Sequence, residues 1–81
     1  MTGARALKKL EAMRANPRDW TIADLEAVAR AFGLHARKPG GSHVYFTHPA
    51  VPVGLSVPAH RPIKPVYVRA FVRLVDRVRQ G

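Results

Sequence analysis

The stretch KPGGSHVYFTHP, Lys38 to Pro49, sets two glycines, a serine and a histidine directly before an aromatic, strand-like run. Histidine exchanges protons near neutral pH, so His43 is a candidate general acid or base. Gly40 and Gly41 carry no side chain and let an anion come close to the backbone, and Ser42 offers a hydroxyl donor. With Lys38 they make a candidate phosphate cradle. The same residues also read as an ordinary hairpin turn followed by an exposed edge histidine.

A second group lies in PAHRPIK, where His60 is followed by Arg61 and Lys64. Clustered cations suit phosphate anchoring; a solvated basic loop is the alternative. Tyr45 alternates onto the face of His43 and Thr47, opposite Val44 and Phe46, where a nucleobase can stack on it, although tyrosine is also simply a good strand former. Arg69, Arg73 and Arg77 recur every four residues, and Arg5, Lys8 and Lys9 cluster near the start. Either set can follow a phosphate backbone, meet an acidic protein, or form a solvated helix face. His35 and His48 read as strand or turn residues, and Trp20 and Tyr67 as packing anchors beside helix starts. The four histidines are scattered without metal-ligand spacing, and no phosphate-loop or dinucleotide fingerprint is present.

Composition narrows the partners. The 81 residues hold 14 Lys and Arg against 5 Asp and Glu, a net charge of +9. Such a field attracts polyanions, acidic proteins or anionic membrane surfaces. The chain has no cysteine, which excludes disulfides, thiolate metal sites and cysteine nucleophiles. The N-terminal MTGARALKKLEAM lacks the apolar core of a secretory signal, and no apolar run reaches the ~18 residues that suggest a bilayer span. A soluble, cytoplasmic single domain over 1–81 is expected.

The elements that must hold these groups follow from periodicity. Leu7, Leu10 and Met13 predict a first helix that NPRDW ends, because proline breaks the ladder and disfavours helical geometry at Asn16. Ile22, Leu25, Val28, Ala29 and Phe32 predict a second helix from about Ile22 to Phe32, with Thr21 as N-cap, Asp24 completing a capping box, and Gly33 closing it in the left-handed region. The period then changes to two. Leu34 and Ala36 alternate with His35 and Arg37; after the Lys38-Pro39-Gly40-Gly41 turn signal come HVYFTH and VGLSV, with Val53, Leu55 and Val57 on one face. Pro49 and Pro52 are expected to bracket the strand connection and Pro58 to end the last strand. From Pro65, the residues Val68, Phe71, Val72, Val75 and Val78 predict a closing helix. The fold class is therefore α+β, order α-α-β-β-β-α, with a three-stranded antiparallel meander.

GSHVYF, SVPAHRPIKPVYVRAFVRLVD and the leading LKKLEAMRANPRDWTIADLEAVARAFGL together resemble the HicA family of small bacterial toxins over roughly Leu7 to Asp76. The resemblance implies a double-stranded-RNA-binding-domain-like fold with helices on one face of the sheet. It implies a ribosome-independent mRNA endoribonuclease (an mRNA interferase), without a metal cofactor, that serves as the toxin of a type II toxin-antitoxin pair and is held inactive by a HicB antitoxin. It implies an active-site histidine at His43, and Pro58 and His60 match the family's proline-x-histidine after the third strand. At the start of the last helix the chain reads PIKPVYVRAF, where many members have a polar Gly-Thr-Leu.

Metal-free RNA cleavage requires a base for the 2′-hydroxyl proton, an acid for the leaving oxygen, and positive charge around the phosphate. His43 suits either proton role, while Lys38, Gly41, Ser42, Tyr45, His60, Arg61 and Lys64 are expected to hold the RNA. The competing expectations are a non-catalytic RNA-binding module of the same fold, and a structural partner for an acidic protein.

Overall fold

A computed structural model describes residues 2–38 and 41–80. Its elements are α1 (Thr2–Ala15), α2 (Ile22–Ala31), β1 (His35–Arg37), β2 (His43–His48), β3 (Val51–Pro58) and α3 (Pro65–Gln80), in the predicted order. The strands form one antiparallel sheet, β1-β2-β3, with β2 central.

The periodic residues make the core. Leu10 and Met13 from α1, Leu25, Val28 and Ala29 from α2, and Val68, Phe71, Val72 and Val75 from α3 are buried against Val44, Phe46 and Val57 of the sheet. Phe46 and Phe71 meet edge to face, ring centroids 5.0 Å apart at 61°, which joins the middle of the central strand to the middle of α3. Because Val44 and Phe46 point to the helices, His43 and Tyr45 must point away from them. One face of the sheet is therefore open.

The second helix is bounded as its residues require. Thr21 accepts from the Asp24 amide at 3.3 Å, and the Thr21 amide donates to Asp24 Oδ2 at 3.0 Å, a complete capping box. Gly33 follows the Phe32 cap at φ +79°, a left-handed conformation that glycine adopts without a Cβ penalty. Two ion pairs tie the helices together. Lys9 Nζ of α1 lies 3.3 Å from Asp24 at the start of α2, and Arg14 of α1 holds Asp76 of α3 in a two-pronged grip with both N···O distances 2.8 Å. The Arg14 guanidinium holds the Asp76 carboxyl below the usual carboxylate range, outweighing partial burial. Asp24 also lies below that range: desolvation raises it, and the hydrogen bonds from Thr21 and Lys9 together outweigh that.

Three local expectations are corrected. Val53, expected on one face with Leu55 and Val57, lines a groove with Leu55 against Ala70 and Arg73 of α3 but is 71% exposed, so that face is not buried along its whole length. Between the pairs Phe46↔Leu55 and His48↔Val51, β2 advances from 46 to 48 while β3 advances from 55 to 51, an irregularity in the ladder beside Val53. Pro52 does not bracket the connection but sits inside β3, which is an edge strand where a missing N–H is tolerated. Leu34, just before β1, is buried but Ala36 within it is exposed, so the alternation before the turn does not continue the core. The predicted turn residues Pro39 and Gly40 lie outside the described residues.

Candidate functional site

The open sheet face is built by register. His43, the first residue of β2, pairs with Pro58; Tyr45 pairs with Arg37 on one side and Ser56 on the other; Thr47 pairs with His35. Directly opposed residues of antiparallel strands share a face. Arg37, Tyr45 and Ser56 therefore form one row across the sheet, and His43 with Pro58 forms the end of the next. His35, Arg37, His43, Tyr45 and Ser56 are all exposed.

His43 is positioned by backbone on both sides. Gly41 precedes it at φ +107°, open space surrounds the site of a Cβ there, and the Ser42 carbonyl accepts from the Ala59 amide at 2.7 Å. That last bond fastens the Gly-Ser-His turn to the Pro-Ala-His segment following β3. Among the described residues no side-chain hydrogen bond or ion pair engages the His43 ring. An imidazole ring is thus presented to solvent, with no carboxylate or carbonyl among the described residues bonded to it.

The other predicted residues divide. His60, Arg61 and Lys64 line a cleft of about 520 Å³ beside the sheet, with Arg18, Asp19 and Tyr67 on its other surfaces. The PAHRPIK loop is locked against the segment between α1 and α2 by a bond from the Ile63 amide to the Trp20 carbonyl, 2.8 Å, and Ile63 itself is fully buried beneath. Lys38 is exposed, its Nζ 3.2 Å from Glu26 on α2. Tyr45 stands on the open face with 41% of its surface exposed, next to Gly54. His48 ends β2 at the turn, its Nδ1 accepting from the Ala50 amide at 3.0 Å, and His35 is a strand residue of β1. Trp20 and Tyr67 pack against the core, Trp20 also donating to the Asn16 carbonyl at 2.7 Å. Arg69, Arg73 and Arg77 are exposed on α3.

Two basic residues escape the sequence reading. Arg37 joins the open face because β1 pairs with β2 in the register that sets it opposite Tyr45; counting outward from the turn at Gly41 would have found it. Arg18 joins the cleft by a contact between loops distant in sequence, for which no local signal exists. Among the described residues no group of three or more His, Asp or Glu side chains is placed to hold a metal ion. Among the described residues no helix is long and apolar enough to cross a membrane.

No protein-family model, no curated protein and no solved structure matches the chain.

Proposed function

We propose that this chain is a metal-independent endoribonuclease of the HicA kind, the toxin of a type II toxin-antitoxin pair, on a double-stranded-RNA-binding-domain-like fold. One observation carries the reading: His43 stands exposed at the head of the central strand, on a bare sheet face, with its Gly41-Ser42 turn bonded to the segment that carries His60 and Arg61. In this reaction His43 takes the proton of the 2′-hydroxyl. The 2′ oxygen bonds to phosphorus, the P–O5′ bond breaks, and the O5′ leaving group takes up a proton, giving a 2′,3′-cyclic phosphate and a new 5′-hydroxyl end. Ser42, Arg37 and the cleft cations hold the phosphates, and Tyr45 supplies a surface for a base. An acidic HicB-like antitoxin fits the same basic face and would occlude it.

A second reading, a non-catalytic RNA-binding module, is favoured by the His43 ring having no orienting partner among the described residues. RNA cleavage in EDTA separates the two, comparing the parent with His43→Ala purified identically and analysing product ends by mass. Cyclic phosphate ends from the parent alone support the nuclease. Equal RNA binding by both proteins with cleavage by neither supports the module.

A further inference from the structure

The cleft beside the sheet holds cations that the fold itself does not use. Among the described residues the ion pairs engage Lys9, Arg14 and Lys38, and none engages Arg18, Arg61 or Lys64. These three converge with His60 on one cavity whose volume, about 520 Å³, falls within the roughly 300–1,000 Å³ of small-ligand sites. Three cations against the single carboxylate of Asp19 leave the cleft net positive, so an anion is the complementary occupant.

Two features select the kind of anion. The cavity has apolar lining from Pro58, Pro62, Pro65 and Tyr67, which a bare phosphate would leave unused and a nucleobase would cover. It also has one carboxylate, Asp19, held at φ +66°, in the left-handed region that Asp tolerates better than most side chains. A carboxylate repels inorganic phosphate but accepts from a ribose hydroxyl or an exocyclic amine. Strained backbone of this kind concentrates at ligand sites.

We propose that the cleft between the α1–α2 connection and the PAHRPIK loop is a nucleotide subsite: Arg18, Arg61 and Lys64 hold a phosphate, the Tyr67 side receives the base, and Asp19 accepts from the sugar or base. The subsite rests on the nuclease reading for its place in the reaction, where it binds the nucleotide neighbouring the scissile phosphate at His43. The Ala59–Ser42 backbone bond ties the segment leading to His43 to the one leading to His60.

The test is titration of the isotope-labelled full chain with adenosine 5′-monophosphate and, separately, with inorganic phosphate, followed by amide NMR shifts, together with steady-state RNA cleavage. The parent should bind the nucleotide at least about tenfold more tightly than phosphate, with shifts confined to residues 18–20 and 58–67. A charge-assisted hydrogen bond is worth roughly tenfold or more in affinity. Arg18→Glu should therefore abolish the shifts and raise KM for RNA about tenfold, with kcat within about twofold of the parent. Arg5→Glu, an equal charge change in the groove between α1 and α2, should leave the nucleotide shifts in place. Asp19→Asn keeps the left-handed conformation accessible and should narrow the preference for nucleotide over phosphate. Lys64→Glu carries the same test where Arg18→Glu loses its fold.

Equal binding of nucleotide and phosphate, or equal weakening by Arg5→Glu and Arg18→Glu, overturns the subsite. RNA cleavage by the parent that Arg18→Glu leaves unchanged also overturns it, while the nuclease reading stands. Nucleotide bound in the cleft and lost on Arg18→Glu, in a protein that cuts no RNA, keeps the subsite and removes the nuclease.

Discussion

The Tyr45 ring reaches across Gly54 on the open sheet face: a Cβ placed on Gly54 would lie 3.0 Å from Tyr45 Cζ and 2.7 Å from the Phe46 carbonyl oxygen. Tyr45 pairs directly with Ser56, so Gly54 is its diagonal neighbour on β3, and the missing side chain is what lets the ring approach the strand. The backbone contact cannot be relieved by turning a side chain. Gly54→Ala should shift β3 against β2 and cost about 1–3 kcal/mol, the usual range for overpacking. Chemical denaturation measures it, and loss or movement of the Tyr45 ring signals in NMR shows that the two residues are coupled.

A tyrosine lodged on the sheet in this way is a preorganised stacking surface. Under the proposed function, Tyr45→Ala should weaken binding of single-stranded RNA by about 1–3 kcal/mol, the range measured for aromatic stacking on one base. Tyr45→Phe should keep most of the affinity. Titrations on the His43→Ala background, where cleavage does not interfere, give the comparison. Equal losses in both variants would assign the effect to the hydroxyl instead of the ring.

Arg37 stands beside Tyr45 in the same row. As a phosphate contact it carries no base information, so Arg37→Ala should weaken RNA of every sequence alike. The slope of log affinity against log salt should become shallower by roughly 0.7–0.9, the contribution of one phosphate contact. An unchanged slope would remove Arg37 from the interface.

Asp76 makes stability depend on acidity in a definite direction. Its carboxyl is held below its ordinary value by Arg14, so the folded protein binds that proton less readily than the unfolded chain, whose aspartates titrate near ~3.9. The stabilisation is present above that value and fades as pH falls through the lower folded one. Asp76→Asn should lower the melting temperature at pH 7, and the gap to the parent should close in strong acid. A gap that widens on acidification would contradict the pairing.

The capping box is a local device and its loss should stay local. Thr21→Ala removes the acceptor for the Asp24 amide and should cost about 0.5–2 kcal/mol. Hydrogen exchange should quicken first in the opening turn of α2.

The helices were legible because each depends on neighbours within a few residues. Thr21, Asp24 and Gly33 announce both ends of α2, Pro65 announces the start of α3, and the 3.6-residue spacing of Val68, Phe71, Val72 and Val75 names the buried face in advance. The open face of β2 was legible for the same reason, since a period of two sends Val44 and Phe46 one way and His43 and Tyr45 the other. The exposure of Val53 and the register shift beside it were not legible, because helix coverage and an irregular ladder are properties of several elements together and leave no mark in the alternation of one strand.

The sequence by itself determined the element order, the core faces, the strong positive charge, and the exposure of His43, all of which follow from local periodicity and composition. Only the tertiary structure decided which cations act together. It paired Lys38 with Glu26 of α2, brought Arg37 beside Tyr45, and folded Arg18 and Asp19 onto the PAHRPIK loop through the Ile63–Trp20 backbone bond. Charge is long-ranged and direction-blind, so a sequence can say how much of it a chain carries. Where it converges depends on strand register and on contacts between loops some 40 residues apart, and those exist only once the helices have packed on the sheet.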